Sequence, residues 1–265
     1  MKYVLITGVS SGIGKAISNI YIENGYKVIG IDVKNCIENE KLTFFACDIT
    51  KEDELKNVTG YLKDNNIILD LIINVAGIHK MASFVESDYK EMKKVIDVNL
   101  IGTMCVNKTF YPYLSKVGKI IITTSEVASF PPLPYNGLYS VSKIALDAYA
   151  QGLRQELNLL GQKVITIRPG AVETNLSAGS VDDTNKLVND TILYKKQSVH
   201  FAKLVNKFTG KKIKPEKLAK LVYKVSLKKK PKLVYKINTN IGMLLLGILP
   251  IRLQCYIIKL LLNRK

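Results

Sequence analysis

The sequence predicts an α/β fold, a doubly wound parallel sheet in a single domain. Short β-branched runs recur through the first 170 residues, and each is apolar almost throughout. Strands buried on both faces read this way. Segments of helical length separate the runs, as right-handed βαβ crossovers require. The chain has 265 residues, 47% hydrophobic and 23% charged, so it can bury a large core without a disulfide or metal. That composition excludes a disordered, collagen-like or disulfide-stapled chain.

In chain order, residues 3–6 read as a strand and 14–24 as the first helix. Strands follow at 27–31 and 42–46. The polar interval between them, 33–41, is too short for a full crossover helix, so a turn or loop is expected. Helices at 53–63, 89–114 and 140–160 then alternate with strands at 69–73, 119–123 and 163–167. Residues 171–214 lack strand periodicity and are expected to form a variable helical lid. Residues 215–229 read as a helix and 232–236 as the last strand, which gives one domain over 1–240. Residues 241–265 form a helical tail. Its helix at 250–263 sets Arg252, Tyr256, Lys259 and Asn263 on one side and Leu253, Ile257, Leu260 and Leu261 on the other. The apolar run 241–251 is too short to span hydrocarbon, which takes about 20 residues.

The net charge is +17, and it is unevenly placed. Residues 186–265 hold 20 Lys and Arg against two acids, while the other 185 residues sum to −1. Nucleic-acid binding by the whole chain is therefore not expected. A solvated lysine face is the default for the basic end, and contact with anionic lipid comes next. The four cysteines are widely spread, which implies reduced thiols and no zinc site. No secretory pattern opens the chain, so a cytoplasmic protein is expected.

Thr7-Gly8-Val9-Ser10-Ser11-Gly12-Ile13-Gly14 follows the first strand and opens the first helix. Glycines at this spacing let the backbone turn tightly and let helix-start N–H groups face a pyrophosphate. Asp32 ends the second strand. A carboxylate there would accept from both ribose hydroxyls and repel a 2′-phosphate, which favours NAD over NADP, although Lys34 is nearby. The alternative is an exposed turn residue.

Tyr139 and Lys143 stand four residues apart, on one face of a helix. A phenol has a pKa of about 10. An adjacent cation, joined by a positive nicotinamide ring, is expected to lower it toward the range of a general acid–base catalyst.

With these motifs in this order, residues 3–176 resemble the classical short-chain dehydrogenase/reductase family, and the resemblance implies a Rossmann-type fold. Asn74, Ala76 and Gly77 are similar to that family's stretch after the fourth strand, with Val75 in place of its second Asn. Asp48 matches the residue that meets the adenine ring. Asn99 and Ser125 match the remaining members of the catalytic set. Pro169, Gly170, Val172 and Thr174 match the loop that pins the nicotinamide. Together with Gly8, Ser10, Ser11, Gly12, Ile13, Gly14, Asp32, Tyr139 and Lys143, these residues are expected to hold the cofactor.

The resemblance implies that Tyr139 passes a proton, Lys143 holds the ribose and lowers the tyrosine pKa, Ser125 binds the carbonyl, and Asn99 supports a water beside Lys143. It implies alcohol–ketone interconversion. Phe130, Pro131, Pro132, Leu133, Tyr135, Leu138, Leu176, Leu187, Ile192 and Tyr194 suggest an apolar substrate such as a hydroxysteroid or lipid. The alternatives are a polar cyclic alcohol (a sugar or dihydrodiol) and a dinucleotide sensor without turnover. A homo-oligomer and a peripheral membrane contact through the basic tail are further expectations. His79 reads as an ordinary loop histidine, with a place lining the active-site mouth as the alternative.

Overall fold

The computed structural model describes residues 1–36, 39–208 and 212–263, without the side chains of 175–181 and 206–208. The strands are β1 (Lys2–Thr7), β2 (Tyr26–Asp32), β3 (Leu42–Ala46), β4 (Leu69–Asn74), β5 (Leu114–Thr123), β6 (Lys163–Pro169) and β7 (Val234–Ile237). They form one parallel sheet in the order β3-β2-β1-β4-β5-β6-β7. The helices are α1 (Gly12–Glu23), α2 (Glu52–Asp64), α3 (Tyr89–Ile96), α4 (Thr103–Phe110), α5 (Gly137–Leu159), α6 (Asn175–Asp190), α7 (Lys195–Phe208), α8 (Pro215–Ser226), α9 (Ile241–Gly247) and α10 (Ile251–Leu262).

Strand alternation divides the core into two layers. Leu5, Ile29, Ile31, Ile72, Ile120 and Ile122 point toward α2, α4 and α5, where they meet Leu55, Val106 and Leu146. Val4, Ile6, Val28, Ile73, Ile121 and Ile165 point the other way, toward Ile17 of α1 and Leu218 and Val222 of α8. Apolar side chains on both faces explain why these runs read as unbroken in the sequence. The strand order reverses between β1 and β4, which opens a crevice at their carboxyl ends.

Among the described residues of 33–41 no helix forms, as expected for so short an interval. The long helix expected over 89–114 is instead broken. A π-helical turn, Asp97–Gly102, separates α3 from α4, and Leu114 opens β5 opposite Leu69. Gly102 sits where a Cβ would come within 2.7 Å of Ile49, so the turn packs tightly beneath the loop before α2.

The tail helix packs through only part of its surface. In α10 the buried residues are Gln254 and Leu262, while Leu253 and Leu260 are exposed. Gln254 turns inward because its amide donates to the Leu249 carbonyl at 2.7 Å. Leu262 joins Met81, Tyr135, Leu187 and Phe201 in a third, smaller cluster beneath the lid helices α6 and α7.

Candidate active site

The glycine turn sits at the crevice. Gly8 and Gly12 take φ of 78° and 51°, the left-handed region that favours glycine. A Cβ on Gly14 would lie 2.0 Å from the Gly8 carbonyl oxygen, so the turn closes only without one. Helix α1 begins with no side-chain cap and no acid in its first turn. Helix α2, which follows β3, instead carries Glu52, Asp53 and Glu54 there. Uncapped N–H groups at a helix start suit an anion, so these residues fit the pyrophosphate of a dinucleotide.

Asp32 ties the crest to β2. Its Oδ2 accepts from the Ser10 N–H and its Oδ1 from the Lys34 N–H, each at 3.0 Å. Thr7 Oγ1 accepts from the N–H groups of Val75 and Ala76 at 3.1 Å, joining β1 to the loop after β4. A threonine hydroxyl thus holds this loop although Val75 stands where the family has Asn. The Asn74 amide donates to Asn107, so its side chain faces the α4–α5 layer and not the glycine turn. Asp48 is likewise occupied: its Oδ1 accepts from the Thr50 N–H and hydroxyl.

Thr174 lies against the crest, where a Cβ on Gly12 would meet its Cγ2 at 3.0 Å. Val172 is held by a bridge to Ile213. Gly170, beyond Pro169 at the end of β6, has no room for a side chain, since a Cβ would meet the Asn238 carbonyl oxygen at 1.9 Å.

Tyr139 lies in the first turn of α5, buried, with Lys143 one turn on and also buried. Lys143 Nζ stands 5.8 Å from the Tyr139 ring centroid. The Ser125 hydroxyl, just past β5, hydrogen-bonds the phenol. Asn99, in the π-helical turn, accepts from the Ile78 N–H at 2.8 Å and donates to the Ile78 carbonyl and the Ser142 hydroxyl at 2.9 Å each. Its amide clamps the loop that carries Gly77, where a Cβ would meet Asn99 Oδ1 at 3.0 Å and Lys143 Nζ at 3.3 Å. The four residues of the expected catalytic set therefore share one cleft.

Without a dinucleotide, the protein's own electrostatics hold the phenol high. Burial pushes the Tyr139 phenol up to about 12, against the lowering by its Ser125 hydrogen bond, and the Glu126 charge adds to the rise. Burial also brings Lys143 down to about 8. Desolvation outweighs the lowering by Ser125, so the protein alone keeps the phenol protonated at neutral pH.

His79 takes the second of its two expected places, at the active site. Its ring centroid lies 4.5 Å from that of Tyr139, and its Nδ1 is 3.9 Å from Asp183 on lid helix α6. Its position two residues past Gly77 was the only available signal. Glu86 also holds the lid, accepting from the Thr191 hydroxyl at 2.6 Å and from the N–H groups of Ile192 and Leu193 at 2.8 and 2.9 Å.

Of the apolar residues expected around the substrate, Phe130, Tyr135, Leu138 and Leu187 are buried and Ile192 is 79% exposed. The Leu176 side chain lies outside the described residues. Tyr135 takes a φ of 62° and meets Tyr194 and Phe201 edge-on at 5.5 and 5.0 Å, which binds its loop to the lid. Strain at such a bulky residue is found mostly where function fixes a loop.

Comparison with known proteins agrees with this geometry. The family model for short chain dehydrogenase matches residues 2–185. An NADPH-dependent 1-acyldihydroxyacetone phosphate reductase of Schizosaccharomyces pombe is 32% identical over 183 residues, 67% of this chain and 62% of that one. The chain thus matches less than two thirds of that relative's length. A 3-ketodihydrosphingosine reductase of Bacteroides thetaiotaomicron is 26% identical over 92% of this chain and 90% of its own. The crystal structure of a short chain dehydrogenase family protein from Francisella tularensis is similar with a TM-score of 0.75 and 26% identity, covering 89% of this chain and 97% of that one. On the glycine turn, the Ser125–Tyr139–Lys143 cleft and the match over residues 2–185, this chain belongs to the short-chain dehydrogenase family of oxidoreductases.

Proposed function

We propose that the chain is a nicotinamide-dependent reductase that interconverts a ketone and a secondary alcohol on an apolar, lipid-like substrate. The observation that carries the reading is the buried Tyr139 phenol beside Ser125, with the buried Lys143 one turn away. The dinucleotide, when bound, supplies or accepts the hydride. Ser125 and Tyr139 together offer two hydroxyls to one substrate oxygen, and the phenol is held protonated, ready to donate to a developing alkoxide. Lys143 keeps a positive charge below about pH 8 and favours the phenolate left behind. Asn99 holds the Gly77–Ile78 backbone against Lys143.

The protonated phenol supports carbonyl reduction as the direction favoured at neutral pH. The buried Phe130, Tyr135 and Leu138, between Ser125 and Tyr139 in the chain, support an apolar substrate. Both curated relatives are named for reduction of lipid ketones, which agrees with this reading.

For the cofactor, the Asp32 carboxylate at the end of β2 supports NAD, because it would repel a 2′-phosphate. The Schizosaccharomyces pombe relative is named for NADPH, so the choice is tested directly. Reduction of long-chain 3-ketones is followed by nicotinamide absorbance with NADH and NADPH in parallel. Faster turnover with NADH supports the Asp32 argument, and a clear preference for NADPH refutes it. Turnover of polyols with no response to apolar ketones would refute the substrate class.

A further inference from the structure

We propose that α9 and α10 form a docking surface for an anionic lipid bilayer. In α9 and the residue that follows it, Ile241, Leu244, Leu245 and Ile248 stand at i, i+3, i+4 and i+7, one face of a helix. All four are exposed, Ile248 at 74%. In α10, Leu253, Tyr256 and Leu260 repeat the pattern and are also exposed, Tyr256 at 59%. The opposite side of α10 is already occupied, with Ile258 and Leu262 packed in the cluster beneath the lid. A soluble chain seldom leaves so many large apolar side chains uncovered on two consecutive helices unless something covers them.

Charge identifies the cover. Residues 217–265 carry twelve Lys and Arg and no Asp or Glu. On α10 itself, Arg252 and Lys259 are exposed and flank the apolar stripe at helical spacing. A second copy of the chain would bring the same positive end against this one. Anionic headgroups complement it, and cations beside an exposed apolar face are the pattern of a helix lying in the bilayer interface. Among the described residues no helix is long and apolar enough to cross a membrane, so the contact is peripheral.

The surface adjoins the cleft. A Cβ on Gly247 of α9 would touch Pro131, in the loop between Ser125 and Tyr139. The α9 N-cap residue Asn240 donates its N–H to Glu126, next to Ser125, at 2.7 Å. An apolar ketone leaving the bilayer would meet the protein beside its active site. That delivery step rests on the substrate proposed above, whereas the docking does not.

The test uses the full chain and co-sedimentation with vesicles of phosphatidylcholine alone or mixed with phosphatidylglycerol. The expected result is binding to the mixed vesicles, little binding to neutral ones, and release in high salt. Arg252→Gln and Lys259→Gln are each expected to weaken binding roughly fivefold, and Ile248→Glu to weaken it further. Turnover of a short water-soluble ketone stays unchanged in all three, which shows that they fold. Absence of vesicle binding would overturn the proposal, as would binding to neutral vesicles that ignores both base substitutions. Self-association abolished by Ile248→Glu, with no vesicle binding, would make the face a dimer contact and also overturn it. Vesicle binding without turnover of any apolar ketone would leave the docking standing and remove the substrate reading.

Discussion

The rings of His79 and Tyr139 pack with centroids 4.5 Å apart, and Asp183 of the lid stands behind the histidine with its Oδ2 3.9 Å from Nδ1. Loop, catalytic helix and lid therefore meet at one imidazole. Replacing it frees the phenol to move and detaches a lid carboxylate. His79→Ala is expected to lower kcat/KM about tenfold through kcat, since small misplacements of a reacting group are costly. His79→Gln, which fills part of the space, is expected to recover part of that loss. Steady-state kinetics on the three forms checks this, and unchanged kcat in His79→Ala would show the contact to be passive.

Lys143 is buried, and its pKa is brought down to about 8 by desolvation. Its charged form is thus disfavoured in the folded state. Between pH 8 and the ordinary lysine value the unfolded chain binds more protons, so this residue makes stability rise with pH across that window. Lys143→Met removes the buried charge and keeps the side-chain volume. It is expected to raise Tm at pH 7, with a gain of about 3 kcal/mol as the upper limit set by the pKa shift, and to abolish turnover. Thermal unfolding at pH 7 and pH 10 is the check: a variant less stable than wild type at pH 7 contradicts the sign.

Glu86 fastens the turn between α6 and α7 through three hydrogen bonds. Glu86→Ala removes all of them while leaving Tyr139 and the glycine crest untouched. The expected outcome is a several-fold rise in KM for an apolar ketone with kcat nearly constant, and faster limited proteolysis near residues 191–193. Each lost bond is worth about 1 kcal/mol. Equal proteolysis rates would mean that the lid is held elsewhere.

Gly14 tests the nucleotide crest. A Cβ there would lie 2.0 Å from backbone oxygen, and no side chain can move aside to relieve it. Gly14→Ala is expected to weaken dinucleotide binding at least tenfold, measured by fluorescence titration. Gly60→Ala, where a Cβ meets nothing within 4 Å, serves as the helical control. Equal affinities would remove the crest from the cofactor site.

The parallel sheet was legible because its strands are apolar on both faces, which leaves runs such as residues 119–123 with one reading. The glycine turn and the Tyr139–Lys143 pair were legible because each needs residue types at fixed local spacing. Features set by packing were not. The π-helical turn at Asp97–Gly102 depends on the approach of Ile49 to Gly102, a contact from 53 residues away. In α10 the burial of Leu262 follows from what the lid offers it, which the helix alone does not report. The raised phenol pKa reflects burial beneath loops, which spacing cannot report. His79 acquires its place against Tyr139 only through the fold of the loop after β4.

The central claim is that the phenol of Tyr139, held protonated beside Ser125, donates to a ketone oxygen in a cleft shared with the glycine crest. Single-turnover oxidation of NADH and NADPH with a long-chain 3-ketone, in wild type and Tyr139→Phe, tests it most directly. Wild type is expected to turn over at pH 7, and Tyr139→Phe to retain dinucleotide binding yet react at least about a hundredfold more slowly, since a positioned proton donor contributes about 10²–10⁴. Equal rates in the two forms would contradict the account.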